Sequence, residues 1–294
     1  MPARSLKRFR IIAVSAAALS LALSLAACAP SIDPPADPPS SAGAATVLPS
    51  AHIHGLSVNG ETGQALLATH EGLFEVSKKP AVRVGPTNDL MGFTAALEQH
   101  VFYASGHPGP GSDLPNPLGL VKTSDGGATW EQLSRQGESD FHALTATKSG
   151  IVAFDGTLRT SPDGTSWKTA ASSFTPAALA GNPYSDTVLA TTAEGLQRST
   201  DAGATWVLDK AAPVIQFAAF ASATEAVGVE PGGAVHYSRD GGATWTRKGK
   251  ISGTVQAVAA TEGSDGNPWI WVVTSTEILV STDGGATFRP SEAV

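Results

Sequence analysis

A short phrase that recurs five times constrains the fold of this chain more than any other feature. The first copy, residues 124–130, reads Ser-Asp-Gly-Gly-Ala-Thr-Trp, and each later copy keeps the aspartate, the glycine and the terminal aromatic residue. The aspartates of successive copies are 38, 38, 39 and 43 residues apart. They are Asp125, Asp163, Asp201, Asp240 and Asp283. A period near 40 residues, with strand-like segments between the copies, is typical of a β-propeller or a solenoid.

The phrase itself has the composition of a tight turn followed by a strand. Glycine supplies the positive φ that such turns need, and an aspartate side chain accepts hydrogen bonds from nearby backbone N–H groups. The threonine and the aromatic residue then suit the start of the next strand, where the ring can cover the turn. We therefore predict that each copy is a β-hairpin corner and that its aspartate is structural.

The segments between the corners align into six blades of about four antiparallel strands. Each blade opens with an inner strand, followed by an apolar second strand and a third strand that enters the corner. The predicted inner strands begin at segments 52–56, 89–93, 140–144, 175–179, 215–218 and 255–258. The first blade has residues 76–79, Val-Ser-Lys-Lys, in place of the phrase. We predict an all-β, six-bladed β-propeller; a solenoid is the alternative, but ring closure removes exposed strand edges.

The N-terminal residues have the pattern of an export signal. Residues 1–10 carry four basic side chains, residues 11–25 are apolar, and Leu-Ala-Ala-Cys ends the segment at Cys28. This ending resembles the lipobox of bacterial lipoproteins, which implies that residues 1–27 are removed and that Cys28 is lipidated. An ordinary signal peptide with an incidental cysteine is the alternative. Residues 28–46 are rich in Pro, Ser and Ala, which is typical of a flexible tether.

The net charge argues against some kinds of binding partner, and the cysteine content argues against disulfide bonds in the domain. Residues 1–27 hold four of the 19 basic residues and none of the 26 acidic ones, so the remaining chain has a net charge of −11. This balance argues against binding to nucleic acid or to an anionic membrane surface through protein side chains. Cys28 is the only cysteine, so no disulfide stabilises the domain at 47–294. We expect a monomer, held by lipid on the extracytoplasmic face of a bacterial membrane.

The corner phrase identifies a resemblance. Ser-x-Asp-x-Gly-x-Thr-Trp resembles the Asp-box, or bacterial-neuraminidase repeat, of sialidase-like six-bladed propellers, sortilin-type receptors and photosystem II assembly factors. The resemblance covers most of residues 48–294 and implies that the boxes lie at the outer rim, away from the ligand face. It does not imply one function, because the same scaffold carries unrelated activities.

Sialidase chemistry is not expected. The sialidases require an arginine cluster for the substrate carboxylate and a tyrosine–glutamate pair, whereas the arginines here flank third and fourth strands, and Tyr103, Tyr184 and Tyr237 lie at no inner-strand start. Another glycoside hydrolase would need only two carboxyl groups flanking the scissile bond. The loops between second and third strands offer Glu71, Asp113, Asp155, Glu194, Glu230 and Glu277. No pair stands out, and solvated turn carboxylates are the simpler interpretation.

The histidines are more informative. His54, Met91 and His142 occupy equivalent positions in three successive inner strands, and the long Pro- and Gly-rich loop 105–117 contains His107. Connections from fourth to first strands and from second to third strands lie on one face of a propeller, so these residues can converge at one mouth of the channel. We predict a copper or zinc site formed by His52, His54, His107 and His142 with Met91 nearby.

The further candidates for this ligand face are His70, Glu71, Asp113 and Asp155. The alternative to a metal site is a polar channel with hydrogen-bonded histidines. Two functions follow: a membrane-tethered binding module for a metal ion, a glycan or a partner protein, or a glycoside hydrolase. Converging imidazoles would favour the first, and two close carboxylates with one raised pKa would favour the second.

Overall fold

The computed structural model describes residues 48–291 and shows six sheets, each of four antiparallel strands in sequence order. The predicted all-β fold and six blades are confirmed. The predicted signal peptide, Cys28 and the tether at 28–46 lie outside the described residues. Within the described part, no helix is long and apolar enough to cross a membrane.

The strands follow the predicted blade boundaries closely. Blades 1 to 3 contain β1 (Ile53–Val58), β2 (Ala65–Thr69), β3 (Gly72–Glu75), β4 (Val82–Val84), β5 (Asp89–Ala95), β6 (Phe102–His107), β7 (Leu120–Thr123), β8 (Glu131–Ser134), β9 (Ala143–Thr147), β10 (Gly150–Phe154), β11 (Leu158–Ser161) and β12 (Lys168–Thr169). Blades 4 to 6 contain β13 (Ala178–Gly181), β14 (Val188–Thr192), β15 (Gly195–Ser199), β16 (Val207–Asp209), β17 (Phe217–Phe220), β18 (Ala226–Val229), β19 (Ala234–Ser238), β20 (Thr246–Lys250), β21 (Val255–Thr261), β22 (Trp269–Thr274), β23 (Ile278–Ser281) and β24 (Arg289–Pro290).

Burial changes from the channel to the rim within each blade. Second strands are covered on both faces by neighbouring blades, so β2 and β18 are buried throughout and read as continuous apolar runs. Outer strands face water on one side, and β20 has the sequence Thr-Arg-Lys-Gly-Lys with four of its five residues exposed. The core therefore consists of apolar layers between blades.

The ring closes between the first and last blades. The inner strands β1 and β21 contact each other as the other neighbouring inner strands do. One buried cluster joins Leu67 of blade 1 to Trp271 and Val273 of blade 6. The solenoid alternative is therefore excluded, and side-chain packing between two complete blades holds the ring closed.

The repeated phrases form the turns between third and fourth strands. In blade 2, the Thr129 hydroxyl donates to Asp125 Oδ2 over 2.6 Å, and Thr129 N donates to Oδ1 over 2.9 Å. The buried Gly127 N–H donates to Thr123 Oγ1 over 2.9 Å, and the Trp130 indole N–H donates to Gly127 O over 3.1 Å. Asp125 thus accepts hydrogen bonds within its own turn.

Candidate metal centre at one mouth of the channel

The inner strands enclose a central cavity of about 960 Å³. His54, Met91 and His142, which the sequence analysis predicted to occupy equivalent positions, all line it, and so do Ala177, Gln216 and Gln256 of the other three blades. No lysine or arginine is found among the described residues that line this cavity. We call the mouth on the side of the second-to-third connections the histidine mouth, because it carries His52, His54, His70, His107 and His142.

Three of these histidines form a compact cluster. His52, His54 and His70 each offer a ring nitrogen, and the three atoms lie within 4.8 Å of one another. His54 Nε2 and His70 Nε2 lie 3.3 Å apart. His52 precedes β1 and His54 lies within it, whereas His70 occupies the turn between β2 and β3. The pairing of β1 with β2 shifts register between Ile53 and Gly55, so His54 sits at an irregularity that redirects side chains.

A carboxylate from the next blade orients the third histidine. His70 Nδ1 lies 2.8 Å from Asp89 Oδ1, and Asp89 is the first residue of β5. With the proton on Nδ1 shared with Asp89, the lone pair of His70 Nε2 faces His54. Carboxylate–histidine pairs of this kind orient the imidazole ligands of metal ions.

Burial and neighbouring imidazoles keep His54 neutral. Desolvation first, and the charges of His70 and His52 next, lower the pKa of His54 to about 4. A neutral imidazole is the form that binds a metal ion. His54 is therefore ready to act as a ligand at neutral pH without releasing a proton from the ring.

The other two histidines of the mouth contact a different carboxylate. His107 Nε2 lies 3.2 Å from Asp140 Oδ2, and His142 Nδ1 lies 3.4 Å from the same oxygen. His107 Nδ1 also lies 2.7 Å from Asn116 Oδ1, at the far end of the long loop. The bond to Asn116, together with the charge of Asp140, raises the pKa of His107 despite partial burial. Both ring nitrogens of His107 are thus engaged away from His54.

The structure therefore places the predicted metal ligands in two separate groups. It brings His52 and His54 together with His70, which the sequence assigned only to the wider ligand face. It places His107 and His142 around Asp140, although His142 remains near enough to His54 for its charge to lower the His54 pKa. Met91 lines the channel one blade along from His54 and is partly buried.

The remaining ligand-face candidates lie in varied surroundings. Glu71 and Asp113 are exposed in loops between second and third strands. Asp155 is largely buried, and although burial opposes its ionisation, bonds from Ser139 and Arg159 lower its pKa. These contacts, with Arg135 beside the same carboxylate, give Asp155 a structural role.

Sequence reasoning missed two residues of the site, Asp89 and Asp140. Each begins an inner-strand segment, and each contacts histidines across the mouth. The signal was present, since both aspartates occupy the same position ahead of an inner strand in blades 2 and 3. The sequence alone could not show that these two aspartates contact histidines, because that depends on distances between blades.

Comparison with known proteins supports the class of fold. Residues 236–247 match the BNR/Asp-box repeat. None of the curated proteins compared with this chain matches it. The chain is thus a six-bladed β-propeller, one corner of which matches the BNR/Asp-box repeat.

Solved structures share the architecture at low sequence identity. The GH74 xyloglucanase from Xanthomonas campestris aligns with a TM-score of 0.60 and 15% identity, covering 83% of this chain and 38% of its own. The GH74 enzyme from Niastella koreensis aligns with a TM-score of 0.56 and 16% identity, with the same two coverages of 83% and 38%. The chain thus spans less than half the length of these enzymes. Virginiamycin B lyase from Staphylococcus aureus aligns with a TM-score of 0.53 and 11% identity, covering 84% of this chain and 87% of its own. These similarities concern the fold alone.

Proposed function

We propose that this protein is a lipid-anchored, extracytoplasmic binding module that holds one transition-metal ion at His52, His54 and His70. The observation that carries this proposal is the convergence of three imidazole nitrogens within 4.8 Å at the mouth of the channel. The lipid anchor is supported by the Leu-Ala-Ala-Cys ending at Cys28, in residues outside the described part.

The spacing of the nitrogens suits a single small cation. Zinc–nitrogen bonds of about 2.0–2.1 Å in a tetrahedral site place two ligand atoms roughly 3.3 Å apart. His54 Nε2 and His70 Nε2 are 3.3 Å apart, and the ligand atoms of all three histidines lie within 4.8 Å of one another. Imidazole ligands suit zinc and copper alike, and copper binds more tightly to a given nitrogen site. Three protein ligands leave a fourth position open to water or to a further ligand.

The surroundings favour a cation at this position. Asp89 places a negative charge behind His70, and the cavity lining, as far as it is described, contains no lysine or arginine to repel an ion. The mature chain also carries a net charge of −11. A glycan or a partner protein could then occupy the rest of the channel mouth, with the ion as part of its binding surface.

A titration of the full-length protein in detergent tests the metal site. Zn²⁺ or Cu²⁺ would be added to the wild type, to His54→Ala and to His70→Ala. The control is His100→Asn, because His100 lies in the connection between β5 and β6, at the opposite mouth. We expect wild-type and control affinities tighter than about 10 μM, and at least a tenfold loss in both alanine variants, since each removes one of three ligands. Binding weaker than 10 μM in the wild type, or equal binding in all four proteins, contradicts the proposal.

The alternative function, a glycoside hydrolase, has less support at this mouth. Its two nearby carboxylates, Asp89 and Asp140, each face imidazoles rather than each other. A glycosidase pair needs two carboxyl groups that address one bond from opposite sides. The likeness to GH74 enzymes is a likeness of fold and adds no catalytic residue to this chain.

A further inference from the structure

The second group of titratable residues at the histidine mouth is not used by the proposed metal site. His142 precedes β9, and its Nδ1 lies 3.4 Å from Asp140 Oδ2 and 3.3 Å from the Asp140 carbonyl oxygen. Both neighbours of Nδ1 are acceptors, so the proton of neutral His142 belongs on Nδ1 and the lone pair belongs on Nε2. The side chain of His142 is 62% exposed, which leaves Nε2 open to the mouth.

The carboxylate behind His142 is itself held in place. Asp140 is 16% exposed, and His107 Nε2 contacts its Oδ2 from the other side at 3.2 Å. Asn116 fixes the far nitrogen of His107 at 2.7 Å. Asp140 Oδ1 is buried and has no hydrogen-bond partner among the described residues. An aspartate that orients an imidazole through Nδ1 and leaves Nε2 free is the arrangement by which hydrolases prepare a general base.

Two Asp–His pairs therefore lie at one mouth. Asp89 Oδ1, at 2.8 Å from His70 Nδ1, orients His70 towards the candidate ion, and Asp140 Oδ2 lies 3.4 Å from His142 Nδ1. His54 and His142 occupy equivalent positions in blades 1 and 3, and both line the same cavity. Sites with three protein ligands and an open fourth position are those in which a metal ion prepares a water molecule for reaction, by lowering the pKa of that water.

The cavity below the mouth indicates the kind of substrate. Its described lining contains no lysine or arginine and includes Glu61, Glu98 and Glu262, so beyond the candidate ion it would disfavour the further negative charge of a phosphate or a sulfate. Met91 and Leu179 line this cavity and are only partly buried, so they contribute apolar surface to it. This combination suits a neutral molecule with an apolar portion that enters the channel.

We propose that His142 is the general base of a metal-dependent hydrolysis of neutral carboxylic esters at the histidine mouth. This inference rests on the proposed metal site at His52, His54 and His70. His142 Nε2 takes a proton from a water molecule as the water oxygen bonds to the ester carbonyl carbon. The carbon–oxygen bond to the alcohol then breaks, and the proton passes from His142 to the departing oxygen, so that one ester and one water give one acid and one alcohol.

Ester hydrolysis by the zinc-loaded, full-length protein in detergent tests the inference. The probes are p-nitrophenyl butyrate and, as an anionic counterpart, p-nitrophenyl phosphate. We expect turnover of the butyrate alone, its loss on chelation, and a fall in kcat of at least about 100-fold in His142→Ala. The control His100→Asn should keep the wild-type rate.

The metal affinity separates this inference from the proposed function. We expect zinc to bind His142→Ala within twofold of the wild type, because a base does not hold the ion. A zinc-binding protein without butyrate hydrolysis, or equal rates in wild type and His142→Ala, overturns the general base and leaves the binding module. A tenfold loss of zinc affinity in His142→Ala also overturns it, since His142 would then be a ligand. Failure of the wild type to bind zinc overturns the hydrolysis, and failure to bind either zinc or copper removes both proposals.

A spectroscopic measurement tests the orientation of His142 without turnover. Nitrogen-15 chemical shifts of the imidazole should report the Nδ1–H tautomer of His142 in the metal-free protein, and Asp140→Asn should reduce its population. The same variant should lower kcat more than it raises KM, because Asp140 positions His142 and does not touch the substrate. An Nε2–H tautomer in the wild type contradicts the role of His142 as a base.

Discussion

At the residue scale, two side chains of each corner phrase accept different hydrogen bonds of the turn. In blade 5, Ser238 Oγ accepts the buried N–H of Gly242 over 2.8 Å. Asp240 instead accepts from Thr244, whose N–H and hydroxyl donate over 2.8 Å and 2.6 Å on the exposed side of the turn. A buried donor without a partner costs more than an exposed one, which water can satisfy. The serine two residues before the aspartate therefore matters more than the phrase suggests.

We predict that Ser238→Ala lowers the free energy of unfolding by about 1–3 kcal/mol, because the Gly242 N–H is left buried and unpaired. Asp240→Ala should cost less, since its main donors are exposed. Urea denaturation of both variants measures the difference. Zinc affinity should be unchanged in both, because the corner lies at the end of the blade opposite the histidine mouth. A larger loss of unfolding free energy in Asp240→Ala than in Ser238→Ala would contradict the prediction that the serine contributes more to stability.

The titration of His54 predicts a pH dependence of the metal-free protein. Its pKa falls from 6.5 to about 4 on folding, so the unfolded chain binds the proton more tightly. The resulting stability is present above pH 6.5 and is lost as the pH falls towards 4. We expect the Tm, measured in chelator, to fall over this window in the wild type and to fall less in His54→Asn. Equal slopes in the two proteins would show that His54 does not titrate as proposed.

At the scale of elements, each box fills the interface between its own blade and the preceding one, which we call the seam between the two blades. The glycine of each box packs on the preceding blade; a Cβ added at Gly242 would lie 2.8 Å from Leu189 Cδ2, and one at Gly285 would lie 2.8 Å from Val235 Cγ1. Blade 1 has no box, and its seam with blade 6 retains a groove of about 280 Å³ that is lined by Trp269 and Trp271 among others. The one blade that lacks the phrase therefore also has an incompletely filled seam, the seam with blade 6.

We predict that Gly242→Ala destabilises the propeller by at least about 1–3 kcal/mol, because Gly242 has a φ of 83° and the new methyl group would press on Leu189. Gly232→Ala is the matched control, since an added Cβ there meets no atom within 4 Å. Urea denaturation compares the two variants with the wild type. Equal stabilities of the two variants would contradict the role of the box glycine as a packed contact.

At the scale of the whole molecule, the proposed lipid anchor and the propeller lie in different segments of the chain and have different roles. The net charge of −11 over residues 28–294 gives the protein surface no general attraction to anionic lipid. Stable association with a membrane would therefore depend on lipid at Cys28, and the tether at 28–46 would set the reach of the histidine mouth from the surface.

We predict that Cys28→Ala moves the protein from the detergent phase to the aqueous phase in phase partitioning, or leaves it unprocessed. The propeller should keep its Tm, because residues 48–291 hold the ring together. Wild-type and variant proteins would be compared by partitioning and by the mass of the N-terminal peptide. Unchanged partitioning of the variant, with an unmodified cysteine in the wild type, contradicts the lipid anchor.

The sequence by itself determined the blades and the register of the channel. Each blade comes from one contiguous segment, so turn phrases and strand patterns within about 40 residues are enough to place its strands, and His54, Met91 and His142 do line the channel as their alignment predicts. Tertiary structure alone decided which side chains meet. Asp89 of blade 2 contacts His70 of blade 1, and Asp140 of blade 3 contacts His107 of blade 2. Such contacts depend on turn conformation and on the packing of one blade against the next, and neither has a local sequence pattern.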